Sequence, residues 1–323
     1  MRLRRADPSK PGYTRRRRGK GFSYLDVDGK PLTDPAEIDR ITALVLPPAW
    51  RDVWICPDPR GHIQATGTDD AGRRQYRYHD VWRVKRDAAK FDHVLEVAER
   101  LPRLRRRVDA DLRRRGYVRE RVLAGAVRLL DKGLFRIGGE EYAADDAAGG
   151  ATFGLATLRR DHVSVRGASL VFRYPAKGGA ERAQHIEDAL VAPVVRGLLR
   201  REDGSAELLA FREGREWRDV RSGDVNDYLR EVSGCQISAK DFRTWHATVL
   251  AAGTLAGSGS GLSASARKRA VSRAMREVAE YLGNTPAVAR SSYVDPRVVD
   301  LYHEGVTVSG SGERAVLDLL RDS

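Results

Sequence analysis

Cysteine is nearly absent from the 323-residue chain: Cys56 and Cys235 stand alone and far apart. Two thiols without metal-ligand spacing exclude a disulfide framework and a cysteine-bound zinc, and they fit a reducing, intracellular setting. Each reads as a small core residue. No apolar run is long enough to span a membrane. The basic N-terminus has no apolar segment behind it, so no secretory signal is expected. The glycine-rich stretches lack the Gly-Lys-Ser/Thr ending of a P-loop. No convincing carboxylate cluster offers itself to Mg²⁺. Asp145-Asp146 is the nearest, and it reads as polar helix-end chemistry. No metal and no cofactor is therefore expected. Acidic residues are the other shortage: 45 against 58 Lys and Arg, a net charge of +13 and a pI near 10.0. That balance points to a polyanionic partner, nucleic acid before an anionic membrane.

What remains is enough for two ordinary domains with a real core, since 41% of residues are hydrophobic. Residues 1–20 read as a basic arm ending in Arg15-Arg16-Arg17-Arg18-Gly19-Lys20, either solvated or touching phosphates. Residues 21–27 alternate into an Asp28-Gly29 hairpin-type turn. Asp34 is placed to cap a short helix with Pro35 in its first turn. Residues 53–56 and 62–67 read as strands around a Pro/Gly turn. In Gly72-Arg73-Arg74-Gln75-Tyr76-Arg77-Tyr78-His79, cationic and amide side chains alternate with two tyrosines. Cations suit phosphates, amides and arginines suit base edges, and aromatic faces stack on bases or sugars. The bland alternative is an amphipathic sheet edge.

The pattern turns helical from Lys90, and a domain boundary is expected near residue 88, giving domains 1–88 and 89–323. Phe91, Val94, Leu95, Val97 and Ala98 form one apolar stripe, which Leu101-Pro102 is expected to end. Further helices are expected over 104–112 and 118–130. Arg136 then lies between Phe135 and Ile137, just before a glycine pair, which suggests an arginine held by packing. Residues 162–179 read as two or three short strands with Lys177 at a glycine-rich hairpin tip. Helices follow over 187–201, from a Ser222 cap through Leu229 and Val232, and from a Ser238 cap; the last carries Arg243 beside Phe242 and Trp245. Gly257–Gly261 is a linker. A long basic helix over 264–282 leads to Leu282-Gly283-Asn284 and then Ser291-Ser292-Tyr293-Val294-Asp295-Pro296-Arg297.

A tyrosine that attacks a phosphodiester needs three things. The phenol, with an ordinary pKa near 10, must lose its proton. Charge gathering on the non-bridging oxygens needs fixed donors. The departing 5′-oxygen needs a proton. Without a metal site, arginine is the available clamp, because it is always charged and shaped for bidentate phosphate contact. That gives Arg136 and Arg243 a purpose, and Lys177 one as a proton donor. An ester to tyrosine would store the phosphodiester energy, so resealing would need no ATP.

Ser291-Ser292-Tyr293-Val294-Asp295-Pro296-Arg297 resembles the nucleophile motif of the type IB DNA topoisomerases. Phe135-Arg136-Ile137-Gly138-Gly139-Glu140-Glu141-Tyr142, the Lys177 hairpin and Lys240-Asp241-Phe242-Arg243-Thr244-Trp245 match further motifs of that family. Residues 72–78 resemble the DNA-reading segment of its poxvirus-type members, and most of the chain is similar to the compact bacterial group. The resemblance implies an α+β fold: a small antiparallel β-rich N-terminal domain and a larger, mostly helical catalytic domain with a short sheet, closing as a C-shaped clamp on duplex DNA. It implies Tyr293 as nucleophile, Arg136 and Arg243 on the scissile phosphate, and Lys177 as general acid. It implies DNA contacts from Arg73, Arg74, Gln75, Tyr76 and Tyr78. A monomer acting on supercoiled DNA in the cytoplasm, at the bacterial nucleoid, follows from the same likeness. Many relatives carry a histidine where this chain has Asn284, whose amide can donate to a phosphate oxygen but adds no charge. Two rivals remain, a tyrosine recombinase and an inactive DNA-binding protein. Lys240, where recombinases usually carry histidine, the Asp295-Pro296-Arg297 ending and the small domain favour the topoisomerase. The complete set Arg136, Lys177, Arg243 and Tyr293 argues against decay.

Overall fold

The computed structural model describes residues 1–19, 21–139, 151–176, 179–259 and 263–322. The chain divides into two units, Met1–Asp92 and His93–Ser323. The first is built on an antiparallel five-stranded sheet in the order β2-β1-β3-β4-β5. Its strands are β1 (Tyr13–Arg18), β2 (Gly21–Leu25), β3 (Arg51–Ile55), β4 (Ile63–Thr68) and β5 (Arg74–Tyr78). The arginine run expected to be an arm is thus a strand: Thr14 to Arg18 pair with Leu25 to Gly21, and Tyr13 and Thr14 pair with β3. Tyr13 and Tyr24 pack on the small core of Ile41, Val53, Ile55 and Ala65, so apolar neighbours recruit a segment whose own composition reads as solvated.

Helix α1 (Pro35–Ala43) begins as expected, with the Asp34 carboxylate accepting from Ala36 N at 2.9 Å. Arg40 ties it to the sheet by donating to Gln64 Oε1 and to the Cys56 carbonyl.

Helix α2 (Asp80–Leu112) contains the division between the units and runs unbroken through Pro102. The expected stop does not occur. Proline removes one backbone bond and crowds the preceding turn. Here the proline ring itself is exposed, while Leu101 and Leu104, each 1% exposed, anchor the helix in the core. Tertiary burial outweighs the local cost.

The second unit is mostly helical, so the two together make the α+β fold expected from the sequence. Its helices are α3 (Arg119–Gly133), α4 (Val191–Leu199), α5 (Ser222–Ser233), α6 (Ala239–Ala256), α7 (Ala264–Leu282), α8 (Pro286–Ser292), α9 (Pro296–His303) and α10 (Gly312–Arg321). An antiparallel sheet of β6 (Val163–Arg166), β7 (Ser169–Pro175) and β8 (Glu181–Glu187) packs Phe172, Tyr174 and Ile186 into the main core. Phe135 meets Phe172 edge-on, with centroids 5.0 Å apart, and stacks on Tyr174 at 5.9 Å. A hairpin of β9 (Ala210–Glu213) and β10 (Glu216–Asp219) completes the unit. Helix α6 starts at Ser238, whose backbone N–H and hydroxyl both donate to the Asp241 carboxylate. The long central helices α6 and α7 pack together and carry the site between their ends.

Candidate active site

Arg243 lies early in α6 and is only 4% exposed. Its guanidinium donates to the carbonyls of Leu134 and, at 2.9 Å, Leu282. Leu134 is the left-handed end residue of α3, with φ 51°, and it turns the chain toward Phe135 and Arg136. Phe135 is buried, so the arginine that follows is held by packing. Its backbone is also fixed: the Arg136 carbonyl accepts from Leu155 N, and that of Ile137 from Ala156 N, both at 2.8 Å. This requires two segments of the chain to touch at Gly138 and Gly154. A Cβ on Gly138, which has φ +81°, would lie 2.9 Å from Gly154 Cα. The Arg136 guanidinium donates to Asn284 Oδ1 and to the Gly283 carbonyl at 3.2 Å.

Tyr293 closes α8, donating its backbone N–H to Ala289 O at 3.0 Å. Thr248, further along α6 than Arg243, accepts from Asp295 N at 3.1 Å, and its one hydroxyl proton is shared between the carbonyls of Thr244, at 2.9 Å, and Tyr293, at 3.3 Å. Asp295 is 2% exposed; it caps α9 through Arg297 N and pairs with the Arg297 guanidinium at 2.7 Å. Asp295-Pro296-Arg297 is therefore a clip that fixes how the chain leaves Tyr293. The Tyr293 ring lies against Arg243, with the guanidinium carbon 5.3 Å from the ring centroid.

Two phenols near the arginines have opposite environments. Burial pushes Tyr174 up to about 12, and the charges of Arg182, Arg243 and Arg136 do not reverse that. Burial also opposes ionisation of Tyr293, but Arg243 beside it, with Arg136 and Lys240 further off, brings its pKa below the ordinary 10.0. Of the two, Tyr293 is the phenol whose surroundings favour ionisation. Arg243 Nε and Asn284 Nδ2 are buried without a hydrogen-bond partner among the described residues, as is Trp245 Nε1 on the same helix as Arg243. Donors buried without an acceptor are rare and costly. Among the described residues no group of three or more His, Cys, Asp or Glu could hold a metal ion. Lys177 and Asp145-Asp146 lie outside the described residues. The strands flanking Lys177 are joined by Ala176 N to Ala180 O at 2.9 Å.

Residues 79–305 match the family model of the eukaryotic DNA topoisomerase I catalytic core. Residues 21–69 match that of the bacterial DNA topoisomerase IB N-terminal domain. The chain belongs to the type IB DNA topoisomerases. DNA topoisomerase 1B of Acanthamoeba polyphaga mimivirus is similar, with 27% identity over 297 residues that cover 90% of this chain and 87% of that protein. The protein is thus an enzyme, a DNA topoisomerase. No helix among the described residues is long and apolar enough to cross a membrane.

In this topoisomerase the five residues expected to contact DNA lie on or beside β5, one of the two edge strands of the first sheet. Strand alternation separates them. Arg74, Tyr76 and Tyr78 share the more exposed face, and the two tyrosine rings stack with centroids 6.0 Å apart and planes at 16°. Gln75 projects to the other face and donates to Asp69 Oδ2 at 2.9 Å, as Arg73 Nε does at 3.0 Å. Thr248 carries no signal in sequence as part of a site, because the Tyr293 and Asp295 backbone groups it meets are distant in the chain. Asp69 is different: its partners Ala71, Arg73 and Gln75 all lie just after it in the turn into β5, a local pattern.

Proposed function

We propose that this topoisomerase relaxes supercoiled duplex DNA by transient single-strand cleavage, with Tyr293 as nucleophile. The observation that carries the reading is the Tyr293 phenol against Arg243, with donors on Arg243 and Asn284 left without an acceptor. In the step, the phenol loses its proton to water and the Tyr293 oxygen forms a bond to phosphorus. The bond from phosphorus to the 5′-oxygen breaks, leaving a 3′-phosphotyrosyl ester. Arg136 and Arg243 hold the non-bridging oxygens, Asn284 adds an amide donor, and Lys177 protonates the departing 5′-oxygen. The free strand then swivels, and its 5′-hydroxyl reverses the step. The ester conserves the bond energy, so neither ATP nor a metal enters. Arg73, Arg74, Gln75, Tyr76 and Tyr78 contact the duplex near the cleavage site, and one copy of the chain suffices, working in the nucleoid.

Plasmid relaxation in the presence of a chelator and without ATP tests the reading. Relaxation with a covalent protein–DNA adduct is expected. Tyr293→Phe should lose both while keeping DNA affinity, because one hydroxyl is removed from a large charged interface. A covalent adduct trapped with Tyr293→Phe would remove Tyr293 from the mechanism. Activity confined to paired specific sites would indicate a recombinase instead.

A further inference from the structure

The C-terminal end of α7 is gripped by three arginines that hold successive oxygens along it. Arg182 donates to the carbonyls of Glu280, at 3.1 Å, and Tyr281. Arg243 takes Leu282 O, and Arg136 takes Gly283 O and Asn284 Oδ1. Five consecutive residues thus each offer one oxygen to a guanidinium. The helix closes with Asn284 N to Ala279 O at 2.8 Å and Gly283 N to Glu280 O at 3.2 Å. That arrangement satisfies the carbonyls of Ala279 and Glu280 and leaves Tyr281 O to Arg182. Gly283 is required twice over. Its φ is +63°, and a Cβ there would lie 2.8 Å from the Arg182 guanidinium.

Arg182 comes from β8, and its strand neighbours work in the same direction. Gln184, two residues on and therefore on the same face, donates to the Gly133 carbonyl and accepts from the Tyr174 hydroxyl at 2.8 Å. Gly133 ends α3, three residues before Arg136. One face of β8 so fixes both chain segments between which Arg136 is stretched: the end of α3 and the end of α7. No carboxylate pairs with Arg182 among the described residues, so its acceptors are the partial negative charges of a helix C-terminus.

We propose that Arg182 is a positioning residue for the cleavage step, holding the α7 terminus so that Arg243, Arg136 and Asn284 converge on one phosphate. The inference rests on the reading of Tyr293 as nucleophile and of the two other arginines as its phosphate clamp. Arg182 acts through the carbonyls it holds and touches none of the reacting atoms.

The test is Arg182→Ala in the full chain, assayed by single-turnover cleavage of duplex DNA. The rate is expected to fall about 10- to 100-fold, the range a small misplacement of catalytic groups can cost, with binding of uncleaved duplex retained. A second readout separates positioning from mere support of the fold. If Arg243 and Arg136 drift from Tyr293, its phenol loses the charges that favour ionisation, and the alkaline rise of the cleavage rate moves to higher pH. Arg182→Lys should restore part of the rate, since an ammonium can hold one of the two carbonyls but has no fork. If the alanine variant does not fold, Arg182→Gln carries the same two measurements. Parental cleavage rates overturn the proposal. So does a loss of activity that only tracks the loss of folded protein, with the pH profile unmoved. Failure of the underlying reading would appear separately, as cleavage by Tyr293→Phe, whatever the Arg182 variants do.

Discussion

The arginines at the β5 edge and those at the α7 end differ in whether a carboxylate holds them. Near β5, Arg73 pairs with Asp69 at 2.9 Å, and Arg77 pairs with Asp80 at 2.9 Å while also donating to the carbonyls of Leu44 and Tyr78, both at 3.2 Å. Around α7, Arg136 and Arg243 are held by carbonyls and one amide oxygen, and no carboxylate pairs with either among the described residues. A carboxylate orients a guanidinium and cancels its charge. A carbonyl orients it and leaves the charge in place. An arginine that must be rigid and still attract a phosphate is therefore best held by neutral acceptors. An arginine that trades partners with a DNA backbone can rest on a carboxylate when the arginine itself is exposed, as the Arg73 side chain is at 58%, because surface pairs are weak.

The strongest way to break the comparison is Arg243→Lys. The charge survives, but the fork that reaches Leu134 O and Leu282 O is lost. Cleavage should fall about 10²- to 10³-fold, as for removal of a preorganised transition-state donor. Single-turnover rates would measure it. A parental rate would mean that charge alone matters at this position and that the carbonyl geometry does not.

Asp131 provides the contrasting case inside the same unit. Arg105 bridges Asp131 and Glu313 at 2.7 Å each, and His246 approaches Asp131 at 2.9 Å. Burial alone would raise the Asp131 pKa, but Arg105 and His246 hold it far below the usual carboxylate range. A depressed carboxyl pKa adds stability above its unfolded value and loses it on acidification. Stability should thus decline as the pH falls below about 4, the unfolded value. Asp131→Asn should cost about 2–3 kcal/mol, less than a fully buried pair because Arg105 is about a third exposed. Denaturant unfolding at neutral pH measures this. Cleavage per folded molecule should persist, since this carboxylate-held arginine supports the fold and not the phosphate.

The sequence is informative about parts whose meaning is local. Asp34 and Ser238 sit at helix starts because capping needs only neighbouring residues. The motifs around Arg136, Arg243 and Tyr293 are short and ordered, and the fold brings all three together. What is illegible depends on contacts between distant segments. The Arg15–Arg18 run reads as an arm until β3 and the tyrosine-lined core give it a partner. Pro102 reads as a break until Leu101 and Leu104 are seen to anchor the helix in the core. Arg182 is one of many arginines in sequence; only its place on β8, opposite Tyr174 and against the α7 carbonyls, distinguishes it. Asn284 differs again. Its residue type implies an uncharged donor, and the structure adds that Oδ1 is committed to Arg136 while Nδ2 is open.

The smallest expected effect tests the other half of the comparison. Asp69 accepts from Ala71 N, Arg73 N, Arg73 Nε and Gln75 Nε2. Its pKa is lowered by the Arg73 backbone hydrogen bond first and by the Arg73 side chain next. Asp69→Asn keeps an oxygen for the turn's backbone donors and removes the charge that occupies Arg73. If Arg73 is a phosphate contact, it becomes more available. DNA binding should then tighten at low salt, and the dependence of affinity on salt should steepen by about one counterion. Titrations of a duplex at several ionic strengths measure both. Weaker binding at every salt concentration would reverse the reading: Asp69 would be presenting Arg73 and Gln75 to the duplex in a fixed geometry, and the β5 edge would depend on orientation as strictly as the α7 end does.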